Sequence, residues 1–345
     1  MTTTTSFDPT TSARTRRTVL TVDDLSVVYE VEPSVEAVKH ASFELAAGEI
    51  LGLAGESGCG KTTLAYAVNR LHEPPARISS GRITFHDRSG DDVGVLTLSD
   101  EALRTFRWSK LSMVFQGAMN ALNPVISVRK QLRDTILAHR PRTPRKEIEA
   151  RSVDVLERVG VDPARLSSFP HELSGGMRQR VMIAMAMLLE PQVMIMDEPT
   201  TALDVVVQRD ILREIVRLKD ELDFAVIFIT HDLPLLLEIS DRIAVMLKGE
   251  IIELETADQL FRHARHPYTR TLLSSFPSLS GERGDFIRTG VLDAQFDDVL
   301  AQEAGALVEE VAAYVHEHEP DGEPEPEGPS PDASAESAES PEEDR

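Results

Sequence analysis

Cysteine is nearly missing from this sequence. The 345 residues contain one, Cys59, which excludes an internal disulfide framework and any metal site built on clustered thiolates. Long apolar runs are missing as well. The longest, residues 181–189, falls well short of the roughly 18 residues that a membrane-spanning helix needs. The Thr-rich, Arg-bearing start, residues 1–17, has no apolar signal-peptide core. A chain that is cytosolic, or peripheral to a membrane, is the expectation. Positive charge is also scarce: 36 Lys and Arg stand against 58 Asp and Glu, for a formal net charge of -22. Contact with a phosphate backbone requires a basic face, so nucleic acid is not an expected partner.

What is present is enough for a real core, at 41% hydrophobic content, in one large or two ordinary domains. The acid is unevenly spread. Residues 316–345 carry twelve acids against one base among Pro, Ser and Ala, and such a segment cannot bury an apolar face. It is expected to be a disordered tail, like residues 1–17 at the other end. The remaining body is still acidic. That would suit a cytoplasm with very high salt, where self-repulsion is screened, or simply an acidic protein of an ordinary cell.

The centre of the sequence is Gly55-Glu56-Ser57-Gly58-Cys59-Gly60-Lys61-Thr62, which fits G-x-x-x-x-G-K-[ST] at every fixed position. An apolar run, residues 50–54, precedes it as a buried strand. Helical spacing at Leu64, Ala67, Val68 and Leu71 follows it. Strand, Gly-rich loop and helix are the context the motif requires. The glycines let backbone N–H groups turn inward around a phosphate, and the helix N-terminus adds partial positive charge. Lys61 would reach the β- and γ-phosphates, and the Thr62 hydroxyl would ligate Mg²⁺. Two placements of Cys59 remain open. Beside Lys61 at a helix start its thiolate is favoured and should react readily; turned beneath the loop it is a small, inert apolar group.

Along the chain, residues 19–32 and 43–45 read as antiparallel strands, with Tyr29 the aromatic at a strand end, and residues 81–86 as another strand. Helical spacing from 62 to 71 is ended by Pro74-Pro75. Residues 111–115 form a buried strand that delivers Gln116. From 127 to 160 the pattern is helical, with Thr143 as N-cap, Pro144 in the first turn and Gly160 as stop. Ser174-Gly175-Gly176 opens the apolar helix at 181–189 and is a second possible phosphate site. Residues 193–196 form a buried strand ending in Asp197-Glu198. Asp197 fits a Mg²⁺ ligand and Glu198 a base for attacking water, and a helix cap is the plain alternative for the pair. Asp204 caps a helix with apolar Ile211, Ile215, Leu218 and Leu222, and the strand at 225–230 delivers His231. A hairpin across Gly249, a capping-box-like turn at Thr256 and a helix opened by His266-Pro267-Tyr268 follow, and an amphipathic helix is expected near 296–315.

These elements in this order resemble the nucleotide-binding subunit of an ATP-binding cassette (ABC) transporter, over about residues 19–275. The resemblance implies an α/β P-loop NTPase cassette with a mainly parallel core sheet, an antiparallel β subdomain and a helical signature subdomain. The divisions it implies are 18–262 for the cassette, with the helical part at about 117–190, then 263–315 for a helical extension. It makes Tyr29 the adenine-stacking ring and residues 55–62, with Thr63, the Walker A cradle for ATP: Gly55, Glu56, Ser57, Gly58, Cys59, Gly60, Lys61 and Thr62. Gln116 becomes the Q-loop residue at Mg²⁺, and Leu173 to Gln179 the signature, with Met177 where the short consensus has Gln. Asp197 and Glu198 become the Walker B pair, Asp204 the D-loop aspartate and His231 the switch histidine.

Within that family, Gln116 to Pro124, Pro170 to Gln179, Thr200 to Gln208 and His266 to Ser275 look like the dipeptide/oligopeptide/nickel importer ATPases, a branch that also includes oligosaccharide importers. Many relatives carry a cysteine-bearing C-terminal segment, some with an iron–sulfur cluster. No cysteine follows residue 275 here, so no cluster is expected. The resemblance implies an ATPase at the cytoplasmic face of the cell membrane, driving solute import. Its partners would be two permease subunits, an extracytoplasmic solute-binding protein and a second cassette, of the same or a different chain. The second cassette would place Ser174, Gly175 and Gly176 over the γ-phosphate. A soluble ABC ATPase switching in translation or DNA repair is the alternative. It would call for tandem cassettes, a long coiled coil or a basic face, and none of these is in the sequence.

Overall fold

The computed structural model describes residues 16–201 and 203–275. The expected loose N-terminus, the helix near 296–315 and the acidic tail lie outside the described residues. The chain opens with two long antiparallel strands, β1 (Thr18–Tyr29) and β2 (Val35–Ala46), and turns at Gly48 into β3 (Ile50–Ala54). After the phosphate-loop motif comes α1 (Lys61–Val68), then β4 (Ala76–His86), β5 (Asp92–Gly94), α2 (Asp100–Phe106) and β6 (Leu111–Val114). Three helices separate β6 from the next strand: α3 (Val128–His139), α4 (Arg145–Arg158) and α5 (Gly175–Met187). The rest alternates β7 (Val193–Asp197), α6 (Val205–Leu222), β8 (Ala225–Ile229) and α7 (Leu233–Ile239). It closes with the hairpin β9 (Arg242–Leu247) and β10 (Glu250–Thr256), then α8 (Ala257–His263) and α9 (Pro267–Ser274).

Two sheets result. β2-β1-β4-β5 is antiparallel, and β10-β9-β3-β8-β7-β6 is parallel except for the β10 edge. β3, β7 and β8 are buried at every residue, which is why they read in sequence as unbroken apolar runs rather than alternating ones. The alternation is there nonetheless, hidden because both faces are apolar. Ile50, Met194, Met196, Val226 and Phe228 face the side covered by α3 to α6. Leu51, Leu53, Val193, Ile195, Ile227 and Ile229 face the side covered by α1 and the antiparallel sheet.

The parallel register has one consequence for function. Ile50 pairs with Val226, Val193 with Ala225 and Leu111 with Val193, so β3, β8, β7 and β6 run level and release the chain at a single carboxyl edge. In open α/β sheets that edge is where ligands bind.

Local details differ from the sequence reading in two places. The helical stretch at 127–160 divides into α3 and α4 at the helix start expected of Thr143 and Pro144, but Thr143 does not cap the second. Its hydroxyl donates to the Arg140 carbonyl at 2.8 Å, closing the preceding turn, and Pro144 holds the cap position without a side-chain bond. α1 stops at Val68, ahead of Pro74-Pro75, because Arg70 takes φ +50 and turns the chain out of the helix. Asp204, Thr256 and His266 cap their helices as read: each side chain accepts a backbone N–H, from Val207 at 3.0 Å, Gln259 at 3.2 Å and Tyr268 at 3.1 Å. Gly160, at φ +68, follows α4 as expected.

Candidate functional site

The phosphate-loop motif sits at the carboxyl end of β3 and the start of α1. Gly55 and Gly60 are required by the backbone path, with φ +143 and +108. A Cβ on Gly55 would lie 2.4 Å from the Met246 carbonyl oxygen, and one on Gly60 2.3 Å from that of Ala37. Gly60 is also the cap residue of α1, so no side chain occupies the first amides of the helix and no acid stands in its first turn. Those amides and the helix dipole are left for an anion. Lys61 is buried, and its Nζ donates to the Gly55 carbonyl at 2.6 Å and the Glu56 carbonyl at 2.7 Å. Tyr29, half-buried at the end of β1, has its hydroxyl 3.3 Å from Thr63 Oγ1, which puts the ring beside the loop.

Two adjacent carboxylates leave β7 with opposite fates. Asp197 is 1% exposed and neither of its oxygens has a hydrogen-bond partner. Burial pushes its carboxyl above the usual range; the Thr62 hydroxyl and Lys61 oppose the rise, and the Glu198 charge adds to it. Buried charges are normally paired or coordinate a metal. An orphaned carboxylate facing a threonine hydroxyl, one residue before the carboxylate that holds the Gln116 amide, offers oxygen donors only. That fits Mg²⁺, which keeps several waters and takes one or two protein carboxylates beside substrate phosphates. Among the described residues no group of three His, Cys, Asp or Glu could hold a metal ion.

Glu198 is held from three sides. Its Oε2 accepts from Gln116 Nε2 at 2.9 Å and from the Thr201 hydroxyl at 3.1 Å, and its Oε1 lies 3.2 Å from His231 Nδ1. The residue sits at φ +45, an uncommon conformation for a non-glycine residue, and its amide donates to the Ile229 carbonyl at 2.9 Å. The carboxylate therefore has a fixed direction at the sheet edge, while His231 stays well exposed.

The sequence-derived residues thus fall into two groups. The loop, Tyr29, Gln116, Asp197, Glu198 and His231 come together at the carboxyl edge. Ser174, Gly175, Gly176 and Asp204 gather elsewhere. Ser174 is exposed and caps α5 by accepting the Met177 amide at 3.3 Å; a Cβ on Gly176 would meet Val207 Cγ1 at 2.6 Å, next to the Asp204 cap of α6. Among the described residues no hydrogen bond or ion pair joins this second group to the loop. Two residues escaped the sequence reading. Thr201 lies three places after Glu198, and its hydroxyl also donates to the Glu198 carbonyl at 3.1 Å, a local turn signal carried by the residue type and its spacing. Tyr268 comes from the far end of the chain, and its hydroxyl accepts the Glu56 amide at 3.2 Å. Cys59 takes the buried placement: it is 7% exposed, belongs to the core under the antiparallel sheet, and has its Sγ 3.7 Å from Lys61 Nζ.

A parallel sheet with a phosphate loop after β3 and two adjacent carboxylates at the end of β7, one strand beyond β8, defines a P-loop nucleotide-binding cassette. The ABC transporter family profile matches residues 38–201, and the oligopeptide/dipeptide transporter C-terminal region matches residues 252–292. The chain belongs to the ABC transporter family, among the ATP-binding subunits of its oligopeptide/dipeptide branch. It is 39% identical over 273 residues to the oligopeptide transport ATP-binding protein AmiE of Streptococcus pneumoniae serotype 4, covering 78% of this chain and 76% of that one. It is 42% identical over 272 residues to the glutathione import ATP-binding protein GsiA of Salmonella choleraesuis, again over 78% of this chain but only 44% of the relative. Two solved structures share the fold. CbiO1 from Clostridium perfringens, part of the ABC transporter complex cbiONQ, has a TM-score of 0.62 and 28% identity, over 74% of this chain and 95% of that one. The dimeric cassette MJ0796 bound to ADP and Pi has a TM-score of 0.60 and 25% identity, over 69% and 98%.

The placement of Cys59 is open to direct measurement. A maleimide should label the native protein slowly, with or without MgATP, and label it fully once urea unfolds it. Rapid labelling of the native protein, with protection by MgATP, would place the thiol in the phosphate space instead.

Proposed function

We propose that this chain hydrolyses ATP to drive solute import through a separate ABC permease, with Glu198 as the base that takes a proton from the attacking water. The observation that carries the reading is the triple hold on Glu198 by Gln116, Thr201 and His231 at the sheet edge that also bears the phosphate loop. The loop amides and Lys61 bind the phosphates, Tyr29 offers its ring to the adenine, and Thr63 supports both. Thr62, Gln116 and Asp197 would hold Mg²⁺, which when bound supplies charge neutralisation at the phosphates. Water attacks the γ-phosphorus, the bond to the ADP oxygen breaks, and the water proton passes to Glu198, whose carboxylate Gln116 and His231 keep aimed. Preorganisation of this kind costs nothing at the moment of reaction.

The second group needs a second cassette. Ser174 is exposed, and Val205 and Val206 beside Asp204 are 62% and 70% exposed, so this face is open to a partner of the same or a similar chain. In our reading its Ser174, Gly175 and Gly176 close over the other cassette's γ-phosphate, with Asp204 alongside. The working unit then pairs two cassettes with two permease subunits at the cytoplasmic face of the membrane, supplied by an extracytoplasmic solute-binding protein. Residues 18–262 form the cassette, with 117–190 as the helical part that transmits closure.

A cavity of about 520 Å³ fits the permease contact. It lies where the ends of α1 and α3 meet α2 and is lined by Arg70, His72, Arg104, Arg107, Trp108 and His139, with Asp100 the one acid. Arg70 and Arg107 donate to backbone carbonyls, and no carboxylate pairs with them or with Arg104 among the described residues. Burial, then the neighbouring arginines, pushes both histidines below their usual range. A cationic hollow on a chain of net charge -22 suits an acidic side chain on a cytoplasmic helix of the permease.

Two experiments test the reading. Glu198→Gln should keep ATP affinity, accumulate a nucleotide-bound dimer and lose turnover by about 100-fold or more, the usual contribution of a general base; turnover near the wild-type rate would remove Glu198 from the mechanism. Arg104→Glu, an exposed change, should weaken co-purification with the permease and leave nucleotide binding by the isolated subunit unchanged. Undiminished permease capture would place the contact elsewhere.

A further inference from the structure

The peptide that enters the phosphate loop is gripped from two sides. On one side Lys61 Nζ donates to the Glu56 carbonyl at 2.7 Å; on the other, the Tyr268 hydroxyl accepts the Glu56 amide at 3.2 Å. Tyr268 is 212 residues away in sequence and belongs to α9, outside the strands and helices that make up the nucleotide edge. Its position is not left to chance. Glu253 on β10, 8% exposed, accepts the amides of Arg265 at 2.7 Å and His266 at 3.3 Å and so fixes the turn before α9. His266 Nδ1 then accepts the Tyr268 amide at 3.1 Å, Pro267 presets the first helical turn, and Thr269 behind it is fully buried. β10 pairs with β9, and β9 with β3, the strand that feeds the loop. A closed circuit results: β3, loop, Tyr268, α9, Glu253, β10, β9 and back to β3.

We propose that Tyr268 is a positioning residue for the phosphate loop, setting the direction of the Glu56 peptide and hence the affinity for ATP. The proposal rests on the nucleotide-site reading above. Its physical basis is what happens when Lys61 swings from the loop carbonyls toward the phosphates. The Glu56 carbonyl is released, and the Tyr268 contact remains to keep the loop entry from turning. Burial pushes the Tyr268 phenol up to about 12, with the Glu56 charge adding to the rise. The hydroxyl therefore remains neutral at any working pH, and the grip does not titrate. His-Pro-Tyr thereby has a division of labour: His266 caps, Pro267 presets, and Tyr268 reaches the loop.

The test separates positioning from packing. Tyr268→Phe keeps the ring and removes the acceptor. The KM for ATP should rise about 3- to 10-fold, the value of one ordinary hydrogen bond, with kcat at saturating ATP within about twofold of wild type. In hydrogen exchange of the nucleotide-free variant, amides of residues 55–58 should lose protection while those of β7 and β8 keep theirs. A KM within twofold of wild type with unchanged exchange at 55–58 would reduce Tyr268 to a core residue. If the variant does not fold, the wild-type chain still decides: its Glu56 amide should exchange markedly more slowly than those of Ser57 and Gly58, and an equal rate would overturn the proposal. Because the exchange is read without nucleotide, it stands apart from the ATPase reading, which fails separately if the wild-type chain does not turn over ATP.

Discussion

The amide of Glu198 donates to the carbonyl of Ile229 at 2.9 Å, and the rest of the site depends on that last link between β7 and β8. It follows the pairing of Asp197 with Ile229 and holds Glu198 at φ +45, so that its side chain turns sideways along the sheet edge instead of continuing the strand. Gln116 comes from the neighbouring strand end on one side and His231 from that on the other, and each reaches one oxygen of the same carboxylate. A slip of one residue in this ladder would exchange Asp197 and Glu198. The buried, unpartnered carboxylate would then face solvent and the held one would be buried, because successive strand residues point to opposite faces.

The same edge carries a cost. Asp197, buried without a hydrogen-bond partner, has its carboxyl pushed up mainly by burial. An acid raised in the folded state favours folding below its unfolded value, and that benefit is lost as pH rises through the folded one. Near neutral pH the residue therefore destabilises the fold, and a cation held there would relieve it. The strained Glu198 backbone belongs to the same class of expense. Both lie at the sheet edge, where function rather than packing sets the requirement. The continuous core on either face of the sheet, from Phe228 and Met196 on one side to Ile227 and Leu53 on the other, offsets them.

Much of this is legible in the sequence, for identifiable reasons. Parallel strands buried on both faces are written as unbroken apolar runs, and the polar residue that ends each one marks the edge, so the order of residues alone points to Gln116, Asp197, Glu198 and His231. Where the reading stops, the residue type alone leaves more than one partner open. Thr143 has the right type for a cap, but its hydroxyl finds the Arg140 carbonyl. Cys59 stands beside Lys61 in a loop of glycines, and its sulfur is both buried in the core and 3.7 Å from Lys61 Nζ. Tyr268 can be assigned to a helix start from His-Pro, but nothing in residues 266–275 announces Glu56 as its partner. Capping preferences and apolar periods are short-range rules; the contacts that aim this site span 33 residues for Glu198 and His231, 82 for Gln116 and Glu198, and 212 for Glu56 and Tyr268.

The central claim is that Gln116 and His231 act through one carboxylate rather than separately. A double-mutant cycle on the ATPase rate measures this directly. Gln116→Ala and His231→Ala should each lower kcat, and the double variant should be little slower than the slower of the two, since either loss already frees Glu198 to turn. If instead the two losses multiplied, the groups would be acting independently, and the held carboxylate at the end of β7 would not be the organising feature of the site.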